Sequence, residues 1–439
     1  MNQTTDTIAA IATAPGTGGV GIIRVSGSDA FSIAQRLARK SRFKPRFAHF
    51  RSFYNSEQQL IDRGLLLYFP GPNSFTGEDV VEVQAHGGHV VLHMLLAEII
   101  RLGARMARPG EFSERAFLNE KMDLVQAEAI ADLISGGSEQ AVLASQRSLQ
   151  GEFSAHINSL LKQLIETRVW IESAIDFPEE DIDFLADQQL RQQLAGLNQA
   201  LIDVLRKTQT GVVLNQGISI AIIGAPNVGK SSILNALTEE QTAIISNIPG
   251  TTRDVIKADV IIQGIPVKLV DTAGIRKSDD PIEQQGIERA RAIQASCDVI
   301  LSVYDGSQPL APLPPAKSNE LRLINKMDAL HPGNQGLTAE VSLSAKTGTG
   351  LNQLKQAIID RVSAGEMGED TFTARQRHIE QLKLTQQHVA TAEQHLSDNI
   401  GELAAEELRL AQAALNAVTG EFTSDDLLGE IFSSFCIGK

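Results

Sequence analysis

The chain has 439 residues, 42% of them hydrophobic and 21% charged, with a formal net charge of −14. At roughly 100–200 residues per domain there is room for two to four domains, each long enough to bury its own core. Two cysteines, Cys297 and Cys436, exclude a disulfide framework and fit a reducing cytosol, and the acidic balance disfavours nucleic-acid binding through the surface as a whole, since phosphate contacts come from Lys and Arg.

An RNA partner would therefore need a local basic patch or a basic partner protein to hold it. Met1 to Ala10 lacks a basic stretch followed by an apolar one, so no signal peptide is expected. No run of about 18 apolar residues occurs, so no membrane span is expected and the protein is placed in the cytoplasm.

Residues 1–119 read as a mixed α+β domain. Thr7 to Ala12 and Val20 to Val25 predict strands around the Gly-rich turn Pro15-Gly16-Thr17-Gly18-Gly19. The run from Gly16 to Gly21 fits G-x-G-x-x-G, but a strand follows it where a dinucleotide fingerprint requires a helix. Gly64 to Phe69 and Val80 to Ala85 predict two more strands, and Leu92 to Leu102 a helix. His86, His89 and His93 have no neighbouring Cys or acid to complete a metal set and read as surface or satisfied core histidines.

From Asp123 to Ile175 the pattern is helical. Asp176 to Asp183 is acidic and reads as a solvated helix start, with carboxylates favoured near the N-terminus. Leu190, Leu194, Leu197, Leu201 and Val204 recur at spacings of four and three and form one stripe of a helix. Gly211 and Gly217 are expected to bracket a short linker.

After Gly217 the period changes. Ile218–Ile223, Val267–Val270, Val299–Tyr304, Leu321–Ile324 and Val341–Leu343 are short apolar runs alternating with helical patterns, as in a doubly wound, mostly parallel sheet. After about Ala364 helices resume, with Leu408, Ala411, Leu415 and Val418 on one stripe. The predicted fold is thus an α/β P-loop domain (216–364) inserted into an all-α helical domain (120–215 and 365–439), preceded by the α+β domain (1–119).

Gly224-Ala225-Pro226-Asn227-Val228-Gly229-Lys230-Ser231 matches G-x-x-x-x-G-K-[ST] between a strand and a helix. Backbone N–H groups there can cradle phosphates, Lys230 can neutralise their charge, and the Ser231 hydroxyl can ligate Mg²⁺. Asp271-Thr272-Ala273-Gly274 follows the next strand: Asp271 can hold Mg²⁺ through water, and the Gly274 N–H can contact a γ-phosphate. Asn325-Lys326-Met327-Asp328 follows a later strand, and the Asp328 carboxylate can accept two hydrogen bonds from guanine that adenine cannot offer. Ser344-Ala345-Lys346 completes the base pocket.

Four motifs in this order, each after a strand, point to GTP. The candidate contacts are Asn227, Val228, Gly229, Lys230, Ser231 and Ser232, then Ser246, Thr251 and Thr252, then the Asp271, Asn325 and Ser344 groups. Ile248 to Asp254 occupies the place of a mobile switch loop, where Thr251 and Thr252 would close over Mg²⁺ and γ-phosphate. Many GTPases place a glutamine directly after D-T-A-G to orient the attacking water; Ile275 stands there instead, so another group must do this, and Asp279 to Glu283 supplies acidic candidates.

The whole chain resembles the MnmE (TrmE) family of tRNA-modification GTPases. The resemblance is carried most specifically by Phe435-Cys436-Ile437-Gly438-Lys439, by Gly420 to Asp426, by Pro70 to Asp79 and by Arg108 to Phe112. It implies a homodimer whose N-terminal domain binds 5-formyl- or methylene-tetrahydrofolate through Arg24, Glu82, Lys121 and Lys439. It implies G domains that dimerise around K⁺ held by Asn227, Ser246, Ile248 and Thr251, with Glu283 orienting the water. It also implies a flavoprotein partner, MnmG, which carries the FAD and joins this chain in a heterotetramer or larger complex. Together they would add an aminomethyl or carboxymethylaminomethyl group at C5 of the tRNA wobble uridine.

Two other readings stand beside it: an assembly switch that uses GTP to bind and leave a ribosome or RNA, and a folate-dependent transferase with a merely regulatory G domain. Cys436 has two readings also, a small buried residue at a helix end or a thiol presented for one-carbon or redox chemistry. Cys297 reads as core.

Overall fold

A computed structural model describes residues 6–176, 188–239, 256–271, 297–362, 371–421 and 425–438. The chain divides into two compact units, residues 1–131 with 416–439, and residues 132–415.

The first unit is built on strands β1 (Ile8–Ile11), β2 (Gly21–Ser26), β3 (His49–Tyr54), β4 (Leu60–Phe69), β5 (Val80–Ala85) and β6 (Arg105–Met106), in the order β3-β4-β5-β2-β1-β6. Every pairing is antiparallel except β1 with β6. Two amphipathic helices cover one face. Helix α1 (Ala30–Leu37) buries Ala30, Ile33, Ala34 and Leu37, and α2 (His89–Arg101) buries Leu92, Leu95, Leu96 and Ile99. Both sets repeat at i, i+3, i+4, i+7, which is one helix face, and they share a core with Ile23, Val25, Phe53, Leu66, Val81 and Val83.

Alternation along β1 sends Ile8 and Ala10 to the opposite face, where they meet Ala107 and Phe112. Phe112 belongs to α3 (Glu111–Leu118), which is followed by α4 (Leu124–Ser135). The C-terminal residues return to this unit. Leu428, Ile431 and Phe432 of the last helix (Asp425–Ser433) pack with Phe435, Leu124 and Ala127.

The second unit contains helices α5 (Glu139–Leu149), α6 (Glu152–Asp176) and α7 (Gln188–Gln216). Its sheet has β7 (Ile218–Ile223), β8 (Ile256–Ile262), β9 (Ile265–Asp271), β10 (Val299–Asp305), β11 (Glu320–Asn325) and β12 (Val341–Ser342), in the order β12-β11-β10-β7-β9-β8. All neighbours are parallel except β8 and β9. Helices α8 (Lys230–Glu239) and α9 (Leu351–Val362) pack on this sheet through Ile233, Leu237, Leu354 and Ile358. Helices α10 (Gln376–Ser397) and α11 (Gly401–Thr419) follow, and Asp425–Ser433 is α12. An α/β domain therefore interrupts a helical one, as the alternating periods predict.

The stripes at Leu190 to Val204 and Leu408 to Val418 are buried as read from their spacing. The linker expected between Gly211 and Gly217 is not there. Helix α7 runs through Gly211 and stops at Gln216, immediately before Gly217. Gly211 serves packing instead: a Cβ there would lie 2.3 Å from the Phe372 carbonyl oxygen. The segment 371–374 lies along α5 and α7, taking hydrogen bonds from Arg147 to Thr371 O, Ser148 to Thr373 O and Asn215 to Ala374 O. Phe372 stacks on Phe153 with centroids 4.4 Å apart.

Strands β3, β6 and β8 were not expected from the apolar runs. Strand β8 pairs with β9 as a hairpin whose turn residues Gln263 and Gly264 both have positive φ (48° and 87°), the conformation that suits the strand twist in a two-residue turn. The acidic stretch 177–183 lies outside the described residues.

Candidate functional site

The loop from Gly224 to Gly229 joins the C-terminal end of β7 to the first turn of α8. Asn227 and Gly229 have φ of 65° and 98°, so the chain folds back on itself and turns successive N–H groups inward. Gly229 admits no other residue, because a Cβ would meet Asn325 Nδ2 at 2.2 Å. Lys230 Nζ donates to the carbonyls of Gly224 and Ala225, both at 2.8 Å. The ammonium is thereby centred over the loop, at the positive end of the α8 dipole. Ser231 and Ser232 are exposed in the first turn of that helix.

Asn325 ends β11 and is 2% exposed. Its Nδ2 donates to the Val228 carbonyl at 2.9 Å, and its Oδ1 accepts from the Ala345 N–H at 3.1 Å. One buried amide thus ties the phosphate loop to the Ser344-Ala345-Lys346 loop. Lys326 follows in the left-handed region (φ 63°), and its Nζ lies 2.6 Å from Asp305 Oδ2. Ser344 Oγ donates to Asp328 Oδ1 at 2.6 Å. That hydrogen bond, against a smaller opposing effect of burial, holds the Asp328 carboxyl below its usual range. For Asp305 burial acts the other way, but hydrogen bonds from Lys326 and Ser307 outweigh it and lower its pKa.

Asp305 was not among the residues singled out from sequence. Its only signal is its place at the end of β10, directly before Gly306. A cavity of ≈ 470 Å³ lies beside the loop, lined by Gly224, Pro226, Val228, Tyr304 and Asp305 among others.

Asp271 ends β9, with its Cα paired to that of Ile222. Asn227 to Ser232, Asp271, Asn325 to Asp328 and Ser344 to Lys346 all sit at or after the C-terminal ends of parallel strands in one sheet, where open α/β sheets bind ligands. The candidates Ser246, Ile248, Thr251, Thr252, Thr272, Ala273, Gly274 and Glu283 lie outside the described residues.

In the first unit Arg24 and Glu82 are direct cross-strand partners on β2 and β5. Arg24 reaches Glu82 Oε1 from Nε at 3.1 Å and from NH2 at 2.9 Å. The guanidinium lies 5.2 Å from the Phe75 ring centroid and 5.8 Å from that of Phe112. Lys121 runs past Gly77, whose added Cβ would be 3.0 Å from its Cε. Lys439 lies outside the described residues; Gly438, just before it, packs against the Ile11 carbonyl at the end of β1.

Cys436 is free and exposed, which overturns its reading as a small buried residue: it follows the end of α12 rather than lying in its packed face, and its carbonyl accepts from the Gly110 N–H at 3.4 Å. Cys297 is buried with Ala221 and Val270, and burial raises its thiol pKa. His86 pairs with Asp62 at 2.8 Å, and His89 and His93 have ring centroids 4.2 Å apart. Among the described residues no His, Cys, Asp and Glu group is arranged to hold a metal, and no helix is long and apolar enough to cross a membrane.

Two family descriptions match the chain, "GTP-binding protein TrmE N-terminus" over residues 7–121 and "MnmE helical domain" over residues 124–436. Among curated relatives, the tRNA modification GTPase MnmE of Hydrogenovibrio crunogenus is 49% identical over 451 residues, covering 100% of this chain and 99% of that protein. The protein of the same name from Ectopseudomonas mendocina is 49% identical over 461 residues, covering 100% of both chains. One from Neisseria meningitidis is 48% identical over 450 residues, again covering 100% of both.

Proposed function

The chain belongs to the MnmE (TrmE) family, and from that premise we propose that it hydrolyses GTP in the course of tRNA modification. The observation that carries the nucleotide half of this reading is the Asn325 bridge. A buried amide hydrogen-bonds both to the phosphate loop, at Val228, and to the Ser344-Ala345-Lys346 loop, at Ala345, which supports Lys230 and Asp328 acting in one site. Asp328, kept ionised and oriented by Ser344, offers two acceptor oxygens to the N1–H and 2-amino group of guanine. Adenine offers neither donor, so the carboxylate would keep only its bond from Ser344 Oγ and gain nothing from the base.

The residues fit a Mg²⁺–nucleotide. Ser231 is exposed at the helix start, directly after Lys230, and would ligate the metal together with Thr252. Bound Mg²⁺ supplies charge neutralisation on the phosphate oxygens. Lys230 would exchange the loop carbonyls for β- and γ-phosphate oxygens, while the N–H groups of Val228 to Ser231 orient the chain of phosphates. Glu283 would position the attacking water in place of the missing glutamine.

Activation through K⁺-dependent pairing of two G domains is part of the proposal. Asn227, which lies in the phosphate loop with a left-handed backbone, would supply oxygen ligands together with Ser246, Ile248 and Thr251. The Arg24–Glu82 pair between Phe75 and Phe112 offers donors, acceptors and flat apolar faces to a planar ring. These suit 5-formyl- or methylene-tetrahydrofolate, with Lys121 and Lys439 nearby in the family pattern. The exposed Cys436 thiol remains open to one-carbon or redox chemistry. The reaction would be completed with the flavoprotein MnmG, which holds FAD, at C5 of the tRNA wobble uridine, by a homodimer of this chain.

The test is turnover of GTP and ATP by the purified protein in KCl and in NaCl at equal ionic strength. GTP hydrolysis stimulated by K⁺ alone supports the whole mechanism. GTP hydrolysis at equal rates in both salts keeps the GTPase and removes the K⁺ site; equal turnover of ATP removes the base-reading role of Asp328.

A further inference from the structure

We propose that the connection from α1 to β3, residues 39 to 50, is the surface through which this acidic protein grips the phosphate backbone of RNA. The proposal deepens the tRNA reading above and rests on it.

Charge is the first observation. The chain as a whole is strongly acidic, with 53 Asp and Glu against 39 Lys and Arg. Between Asp29 and Glu57, however, no acid occurs, and after Arg36 of α1 the chain carries Arg39, Lys40, Arg42, Lys44, Arg46 and Arg51. All but Arg51 are exposed. Among the described residues no carboxylate pairs with any of these six, while Arg24, Arg105, Arg108 and Arg115 of the same unit are all engaged in ion pairs. Cations with no carboxylate beside them keep their full charge for a polyanion.

Construction is the second. The segment is a fixed loop. Phe43 is buried and meets the Phe31 ring edge-on at 6.2 Å. His49 Nε2 accepts from the Lys44 N–H at 3.0 Å. The Lys40 N–H donates to Gln35 O at 3.0 Å, and the Arg46 N–H to Tyr68 O at 2.8 Å. Arg39 and Arg46 hold positive φ of 49° and 56°, a conformation that side-chain-bearing residues rarely adopt. The backbone is thus pinned by hydrogen bonds while the five basic residues stay exposed, Arg39 lying 4.3 Å from the Tyr54 ring centroid and Arg46 donating to the Asn73 carbonyl.

Aromatic exposure is the third. Phe47 is 52% and Phe50 65% exposed, and the Lys44 ammonium lies 5.7 Å from the Phe47 ring centroid. Exposed rings among cations suit unpaired nucleobases, which stack on aromatic side chains while the backbone follows the charge.

Two plainer roles explain less. Charge on an edge strand guards against edge-to-edge pairing, and β3 is an edge; yet five of the six cations precede the strand. A second copy of this chain docking face to face on this segment would set each cation cluster against its own like.

The experiment is tRNA binding by the full-length protein, read by fluorescence anisotropy across a salt series, alongside GTP turnover. The variants are the triple substitution Lys40→Gln, Arg42→Gln, Lys44→Gln and the pair Phe47→Ala, Phe50→Ala. The triple variant is expected to bind tRNA at least tenfold more weakly, with a log–log salt slope shallower by roughly two to three. GTP turnover and the unfolding midpoint should be unchanged. The phenylalanine pair should weaken binding to a single-stranded oligonucleotide more than to a duplex.

Wild-type tRNA affinity in the triple variant overturns this surface and leaves the tRNA reading standing. Failure of the unaltered protein to bind any tRNA overturns both. Loss of polyglutamate binding with tRNA binding intact assigns the surface to an acidic protein, and a change of oligomeric state in the triple variant assigns it to a second copy; either result overturns the RNA proposal.

Discussion

Replacing Asn325 by alanine removes both halves of the bridge under the nucleotide site. The Val228 carbonyl loses its donor at 2.9 Å and the Ala345 N–H loses its acceptor at 3.1 Å. Each buried backbone group left unsatisfied costs about 1–3 kcal/mol. One water entering the space freed by the amide could satisfy part of that, so a loss of about 2 kcal/mol is expected rather than the full sum. If half or more of it falls on the bound state, nucleotide affinity weakens by roughly 5- to 30-fold.

Asn325→Asp sharpens the test. It keeps an acceptor for Ala345 but sets an anionic oxygen against the Val228 carbonyl and close to Gly229. It should therefore bind nucleotide less well than the alanine variant, although it is nearer in shape. The assay is titration with a fluorescent GDP analogue, with urea unfolding followed in parallel. Affinities within threefold of the unaltered protein for both variants, at unchanged unfolding midpoints, would refute the bridge as the element that holds the two loops together.

Asp328→Asn should abolish preference for GTP and confer turnover of xanthosine triphosphate, whose 2-oxo group accepts where guanine donates; retained GTP preference in competition assays contradicts the pairing. Glu111 is buried, which opposes its ionisation, but hydrogen bonds from Arg105 and the Arg108 N–H hold its carboxyl at about 2. A depressed carboxylate stabilises the first unit fully above its ordinary value near 4.5, and that stability is lost as pH falls from there toward 2. Glu111→Gln should lower stability at neutral pH by about 1–3 kcal/mol, because it removes the anion that Arg105 and the Arg108 N–H donate to, while Arg115 keeps Asp6 and Glu78, and should flatten the acid limb in urea midpoints measured against pH. Gly211→Ala should destabilise the second unit: the helix gains about 0.5–1 kcal/mol from alanine, but the new methyl would sit 2.3 Å from the Phe372 carbonyl. A raised melting temperature would refute that packing role. Arg24→Ala should weaken binding of 5-formyl-tetrahydrofolate at least tenfold in calorimetry with GTP turnover unchanged; equal binding removes Arg24 from the folate site.

The α/β domain was readable because its signals are local. A parallel strand buried on both faces is a short apolar run, and each of the four nucleotide motifs directly follows one. Ile218–Ile223 therefore announces both a strand and the loop after it. Strand β8 was missed because it is an antiparallel addition to that sheet, with no motif at its end. Gly211 was misread for a different reason. In sequence, a glycine in a helical stretch looks like a break; whether it is one depends on what approaches it. Here residues 371–374, far away in the chain, lie against that point. Sequence alone leaves Cys436 between two readings for the same reason: exposure depends on how the residues after α12 leave the packed helix face, and periodicity says nothing about them.

Pairwise geometry was equally out of reach for the sites. Nothing in the spacing of Arg24 and Glu82 says that they are opposite each other on adjacent strands, and Asp305 becomes visible only once β10 and β11 lie side by side and bring it to Lys326. Net charge hides information by averaging. A total of −14 argues against RNA only if charge is spread evenly, and over residues 30 to 56 it is not. The relevant length for a polyanion is the Debye length, roughly 8–10 Å at physiological salt, not the width of the protein. The loop around Arg42 carries cations and no acid, and carboxylates further away than that length are screened. An acidic protein can therefore hold RNA through one built surface, while its remaining surface keeps non-specific binding weak.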